Sequence, residues 1–437
     1  MAGAEPKGFC MTEFNTTREC AKLLDRNDPL SAFRDRFNFP YDRNGQQNIY
    51  VCGNSLGLQP KIAVQYVSDV LSDWGSLGIE GHFHAQRPWM HYAQNAVAGF
   101  ASLTGAMESE VVAMNTLTVN LHVLMASFYR PDDKRRKIVI ESTAFPSDYY
   151  AVTSQLQLHG HDPAECLVEW EPREDELLYT EDLEKILSEQ GDEIALLLLP
   201  GVQYYTGQVI DMAEACRLGR DTGCRVGLDL AHAIGNVRMS LHDWAPDFAA
   251  WCTYKYLNAG PGAVAGAFVH EKHLGGDGSN QLTGWWGNHP ETRFRMARHF
   301  EPAPGAERWQ LSNPPILALA PVVASLELFS EAGIDALCEK SQHQSAYLRF
   351  LLKEHFAGQV DTITPENAGG CQLSLIVSDS TLQAKDVFRA LERLHVTGDW
   401  REPNVIRVAP VPLYNSFEDI YELSERLGTA IEVQGQN

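Results

Sequence analysis

From about residue 60 to residue 270, short apolar runs alternate with stretches in which apolar residues return every three or four positions. The runs are Lys137–Ile140 (KIVI), Ile194–Leu199 (IALLLL), Val226–Leu230 (VGLDL), Phe248–Cys252 and Ala263–Val269 (AVAGAFV), each bounded by Gly, Pro or polar residues. Brief runs with amphipathic segments between them predict crossover units, and hence an α/β fold whose mainly parallel sheet is sandwiched by helices. Met212–Gly223 reads as one crossover helix: Met212, Ala215, Cys216 and Leu218 recur at helical spacing, and Thr222-Gly223 stops it.

Beyond about residue 315 a second set begins: helix Ile316–Phe329, strand Gln372–Val377, helix Ala384–Leu394, strand Ile406–Pro410 and helix Phe417–Leu427. It predicts a smaller C-terminal α/β domain with its own core. The expected division is an N-terminal arm (1–45) packing on the small domain or a partner subunit, a large domain (46–315) and a small domain (316–437). The sequence shows no internal repeat or low-complexity stretch.

The composition narrows the function classes. A 437-residue chain with 44% hydrophobic and 21% charged residues can bury a large core. Its net charge of −22 argues against nucleic acid and against an anionic membrane surface, both of which need a basic footprint. The most hydrophobic short run, Ile194–Leu199, falls far short of the roughly 18 residues that span a bilayer, so no membrane partner is expected. Nine cysteines, odd in number and without a C-x-x-C pair, fit a reduced, cytoplasmic protein. The opening MAGAEPKGFCMTEF carries no recognisable targeting pattern.

Two residues carry the chemistry. Asp229 ends the run VGLD, at the strand edge where open α/β sheets bind ligands. Lys255 follows the run DFAAWCTY and so sits beyond another strand end, where partial desolvation suits an amine to bonding with a carbonyl. A carboxylate and an amine on neighbouring strand ends are what pyridoxal phosphate needs, one for its ring nitrogen and one for its aldehyde. A purely structural ion pair fits those two residues equally well.

Further segments bear on that choice. Asn115-Thr-Leu-Thr-Val-Asn120 opens an apolar helix, and a helix N-terminus is an anion site as well as an ordinary cap. Phe145-Pro-Ser-Asp148 follows the strand KIVIES and offers an aromatic face and a carboxylate, though Phe145 alone is equally a core residue. Gly260–Gly266 has G-x-G-x-x-x-G spacing and precedes a strand-like run, which excludes a dinucleotide loop. His270-Glu-Lys-His273 is one residue short of a zinc motif, so no metal is expected and its histidines read as exposed loop residues.

The run WCTYKYLNAGPG (251–262), with DLAH (229–232) upstream, resembles the kynureninases, a family of fold-type-I pyridoxal-phosphate enzymes. The likeness continues in order through GNSLGLQPK (53–61), GHFHAQRPW (81–89), NTLTVN (115–120), FPSD (145–148), YYTGQ (204–208), GWWG (284–287), LSNPPIL (311–317) and IRVAPVPLYNS (406–416). It implies hydrolytic cleavage of the Cβ–Cγ bond of L-kynurenine or its 3-hydroxy form, and a homodimer. By resemblance Lys255 is the Schiff-base lysine, Asp229 the partner of the ring nitrogen, and Tyr254 a phosphate ligand and proton relay. Leu117 and Thr118 cradle the phosphate, Phe145 stacks on the ring beside Pro146, Ser147 and Asp148, and His232 lies near the phenolic oxygen. Trp285 reaches the phosphate, and Arg407, with Ser55, holds the substrate carboxylate. His82 and Asn313 line the aryl pocket, Asn313 also belonging to the cofactor set; this pair implies a preference for the 3-hydroxylated substrate. Pro200 departs from relatives that offer a hydroxyl there, which puts one peripheral contact in doubt. The rivals are a cysteine-desulfurase-like lyase, which needs a reactive cysteine, and a binding protein that kept the fold without catalysis.

Overall fold

A computed structural model describes residues 13–276 and 280–435; Cys10, the opening segment and the first part of the expected arm lie outside the described residues. The chain forms two compact units. Among the described residues, the larger comprises those within 63–204 and 209–330, the smaller residues 13–62, 205–208 and 331–435. The expected boundaries at 46 and 316 therefore move. The helix Ile316–Ala332 belongs to the large unit, and its apolar face explains why, since Leu319, Val323, Leu326 and Phe329 are all buried.

The large unit is built on seven strands: β1 (Val111–Ala113), β2 (Lys137–Glu141), β3 (Leu167–Trp170), β4 (Ile194–Pro200), β5 (Arg225–Asp229), β6 (Phe248–Trp251) and β7 (Gly266–Val269). They lie in the order β1-β7-β6-β5-β4-β2-β3. Strands β2 to β6 pair in parallel, while β7 runs antiparallel to both β6 and β1. Burial accounts for the sequence of β4: Ile194 to Leu199 are all buried, and each leucine is worth about 2 kcal/mol of transfer free energy. Between β4 and β5 runs the helix Met212–Thr222. Asp211 caps it by accepting from the Glu214 N–H at 3.0 Å, and Gly223 ends it at φ 76°, where a side chain would be strained. Gly227 of β5 has a different reason: a Cβ there would come within 2.2 Å of the Phe248 ring. Register aligns Pro200, Asp229 and Ala250 at one sheet edge, so the residues after these strand ends emerge side by side.

The smaller unit has a four-stranded antiparallel sheet, Val360–Thr362, Leu373–Val377, Val405–Val408 and Asp399–Arg401 in that order. The helices Ile334–Phe356, Ala384–Arg393 and Phe417–Gly435 pack with it around Leu348, Leu351, Leu375, Ile406 and Ile420. The N-terminal helix Arg18–Arg26 buries Cys20, Ala21 and Leu24 in that same core. Among the described residues no single helix is long and apolar enough to cross a membrane.

Candidate active site

At the carboxyl edge of the large sheet, β5 ends on Asp229 and its parallel neighbour β6 leads through Cys252-Thr253-Tyr254 to Lys255. Asp229 is buried and accepts from the Ala231 N–H at 2.7 Å, which fixes one carboxylate oxygen. Lys255 Nζ lies 2.9 Å from His232 Nε2, so the amine and the imidazole three residues beyond Asp229 share a proton position. Tyr254 is half-buried, and burial pushes its hydroxyl up from its ordinary value.

Two further carboxyls converge on Asp229. Asp148, in the first turn of the helix Pro146–Leu158, hydrogen-bonds the Asp229 side chain, and its carboxyl is raised well above the usual range by desolvation and then by the Asp229 charge. Glu141, the last residue of β2, is buried and pushed up to about 8 by desolvation, with the Asp229 charge adding to it. Two carboxyls in contact cannot both ionise cheaply, so this cluster holds protons at neutral pH and suits a positively charged neighbour.

Around it stand the other expected groups. Phe145 caps the helix Pro146–Leu158, stays 47% exposed, and meets Tyr204 edge-on at 5.3 Å, which leaves ring face free for stacking. Ser147 Oγ donates to Asp148 Oδ1 at 3.1 Å. Leu117 and Thr118 open the helix Leu117–Phe128. No side chain caps it, so its first-turn N–H groups retain the positive end of the dipole. Asn115 is left-handed at φ 50° and donates to Asn120, which in turn donates to Met114 O, bracing this entry.

Other expected residues stand apart. The Trp285 indole N–H goes to Arg293 O at 3.1 Å, so in this structure it is committed to the backbone rather than offered to a phosphate. His82 is held by Ile79 O at 3.1 Å and stands edge-on to Trp89, while Asn313 is exposed; neither hydrogen-bonds Lys255 or Asp229. Pro200 closes β4 opposite Asp229. His270 corrects the reading of an exposed loop: it is buried and stacks on His242 at 5.5 Å. These two histidines and Glu110 are spaced for a metal, but Glu110 already accepts from the Met107 and Glu271 N–H groups and sits 3.2 Å from His242 Nδ1.

In the small unit, Arg407 is fully buried on the strand Val405–Val408, its guanidinium on Asp399. Asp399 also receives Ser55 Oγ at 2.8 Å and Arg401 at 3.1 Å. Asp399, Glu141 and Gln203, which hydrogen-bonds the Glu141 carboxyl, do not stand out in the sequence as site residues. Glu141 did carry a signal, since it ends an apolar strand just as Asp229 does.

The large-unit set fits pyridoxal phosphate: a carboxylate cluster wanting a cation suits a protonated ring nitrogen, Lys255 suits the aldehyde, and the open helix start suits the phosphate. Fold and site together define a pyridoxal-phosphate enzyme of fold type I. The solved structures agree in fold. A cysteine desulfurase of Escherichia coli superposes with TM-score 0.75 at 16% identity over 92% of this chain and 98% of its own. A C–S lyase mutant with glycine covalently linked to its cofactor gives 0.73 at 18% over 87% and 96%. The Kynureninase C-terminal domain family matches residues 337–427. A kynureninase of Xanthomonas campestris pv. campestris is 51% identical over 416 residues, 94% of this chain and 98% of the relative. One of Christiangramia forsetii is 49% identical over 425 residues, 96% and 99% respectively. The chain belongs to the kynureninase family. The desulfurase-like rival also lacks its nucleophile among the described residues: all eight described cysteines are buried, and burial pushes Cys52 and Cys216 up to about 12.

Proposed function

We infer that the chain hydrolyses the Cβ–Cγ bond of L-kynurenine or L-3-hydroxykynurenine, giving anthranilate or 3-hydroxyanthranilate and L-alanine, a step of tryptophan catabolism leading towards NAD. The observation that carries this reading is the placement of Asp229 at the end of β5 and of Lys255 just past the end of its parallel neighbour β6, in a chain 51% identical to a kynureninase. Bound pyridoxal phosphate supplies an electron sink for charge developing at the substrate α-carbon. Asp229 keeps a proton on the ring nitrogen. Lys255 takes the α-proton, and His232, 2.9 Å away, holds or releases a proton at Nζ. The Arg407 guanidinium, held by Asp399, takes the substrate carboxylate through its planar fork. His82 and Asn313 favour the 3-hydroxylated substrate.

A homodimer in the cytoplasm completes the reading. Val64, Leu71 and Trp74 share a face of the helix Lys61–Leu77 and stay exposed, together with Ile79 and Phe83 just beyond it. Apolar side chains gathered in this way suit burial against a second copy. The wholly buried described thiols fit a reducing compartment.

The test supplies each substrate separately and follows anthranilate fluorescence, with Lys255→Ala in parallel. Turnover is expected on both, higher kcat/KM on the 3-hydroxy form, and a loss of at least about 10³-fold in the variant, together with its covalently held cofactor. Steady turnover by Lys255→Ala would overturn the assignment of the lysine, and equal or reversed kcat/KM the substrate preference.

A further inference from the structure

The acid cluster holds one carboxyl more than the cofactor reading uses. Asp229 answers the ring nitrogen and Asp148 contacts Asp229, whereas Glu141 stands two strands further along the edge, at the end of β2 beyond β4. Its side chain is 3% exposed, and Oε2 is buried without a hydrogen-bond partner among the described residues. Gln203, in the segment after β4, hydrogen-bonds the carboxyl; Asp229 from β5 and Asp148 from the helix Pro146–Leu158 are the charged groups coupled to it. An unpaired acid in such a place costs stability, and a glutamine or leucine would fill the same space without a charge.

We propose that Glu141 is a positioning residue of the cofactor site, a reserve carboxyl that ionises when a cation sits at the ring-nitrogen end and so matches the charge of the pocket to that of the ring. The exchange is simple. Glu141 loses a proton to solvent, the carboxylate stays in place, and the proton on the ring nitrogen gains a second, more distant counter-charge. In the cofactor-free protein the same group stays neutral, which its position above the usual carboxylate range at about 8 allows near neutrality. One unit charge acting across two strand spacings, roughly 10 Å, at an effective dielectric near 20 changes affinity on the order of tenfold.

This inference rests on Asp229 facing the ring nitrogen. The experiment measures dissociation constants of the cofactor-free full-length protein for pyridoxal phosphate and for its analogue with carbon in place of the ring nitrogen, by quenching of protein fluorescence. Wild type, Glu141→Gln and Glu141→Leu are compared at about pH 6 and about pH 9, on either side of the group's titration. The wild type should gain selectivity for the nitrogen-containing ring over that interval, by about tenfold more than either variant. A merely structural role would shift both affinities together and leave their ratio alone. Identical pH dependence of the ratio in wild type and in a folded variant overturns the role of Glu141. No preference for the ring nitrogen in any of the proteins overturns instead the assignment of Asp229.

Discussion

Two clusters of buried charge, one in each unit, are built in opposite ways. In the small unit a guanidinium and a carboxylate meet: Arg407 lies on Asp399, with Ser55 and Arg401 sharing the same carboxylate. In the large unit the convergent groups are all acids, Asp148 on Asp229 with Glu141 behind. Paired opposite charges hold themselves together and need no ligand to be tolerable, and their cost appears when one partner is removed. Like charges stay tolerable by keeping protons, and they gain most from a cation brought from outside. The small-unit pair is therefore an arm already braced, whereas the large-unit cluster is a receptor waiting for a protonated ring nitrogen.

The comparison breaks most sharply at Asp399. Asp399→Ala removes the carboxylate that the buried Arg407 leans on and is expected to cost about 3 kcal/mol of stability, read as a lower denaturant midpoint at unchanged slope. A midpoint shift no larger than that of an exposed pair such as Lys385–Glu402 would show that the buried arginine needs no such brace. Next comes Arg407→Lys, which keeps the charge and loses the fork. It should lower kcat/KM about 10-fold to 100-fold, mainly through KM, because one bidentate contact becomes a point contact. An unchanged KM would take Arg407 out of substrate binding.

How far the sequence announces these features depends on where each residue sits. Asp229 and Lys255 are legible because each follows a short apolar run, Asp229 as the last residue of its strand and Lys255 four residues past the end of the neighbouring one. The runs Lys137–Ile140 and Ile194–Leu199 and the helix start at Leu117 were legible for the same reason. Strands β1 and β3 escaped notice, one because it is three residues long, the other because Leu167–Trp170 is only partly buried and carries no continuous apolar run. Ala263–Val269 reads as one strand but pairs only from Gly266, since Gly260 and Gly262 take positive φ and set the chain into turns first. That β7 runs antiparallel could not be read at all, because pairing direction leaves no mark on a buried run. Asp399 lies in a strand of alternating polarity, and its tie to Arg407 exists only once the two strands pair in register, Asp399 opposite Arg407. His270 was misjudged because its neighbours Glu271 and Lys272 are polar, while its own ring is buried by stacking on His242.

The large-unit half of the comparison can be tested without any cofactor. Glu141 titrates at about 8 in the folded protein, against an ordinary glutamate value near 4.5 when unfolded. The folded state thus binds this proton more tightly, so its stabilising contribution is complete below the unfolded value and is lost as pH rises towards the folded one. Between those limits the unfolded chain holds fewer protons than the native one, and native stability falls with pH. Glu141→Gln removes that slope. Relative to wild type, the cofactor-free variant should become progressively more stable from about pH 5 to about pH 8, and gain nothing further above that. Paired urea titrations across this interval measure the difference directly. A constant offset between the two proteins would mean that Glu141 is already ionised at pH 5, and the large-unit cluster would then be a set of separate carboxylates rather than one that keeps its protons for a cationic ring.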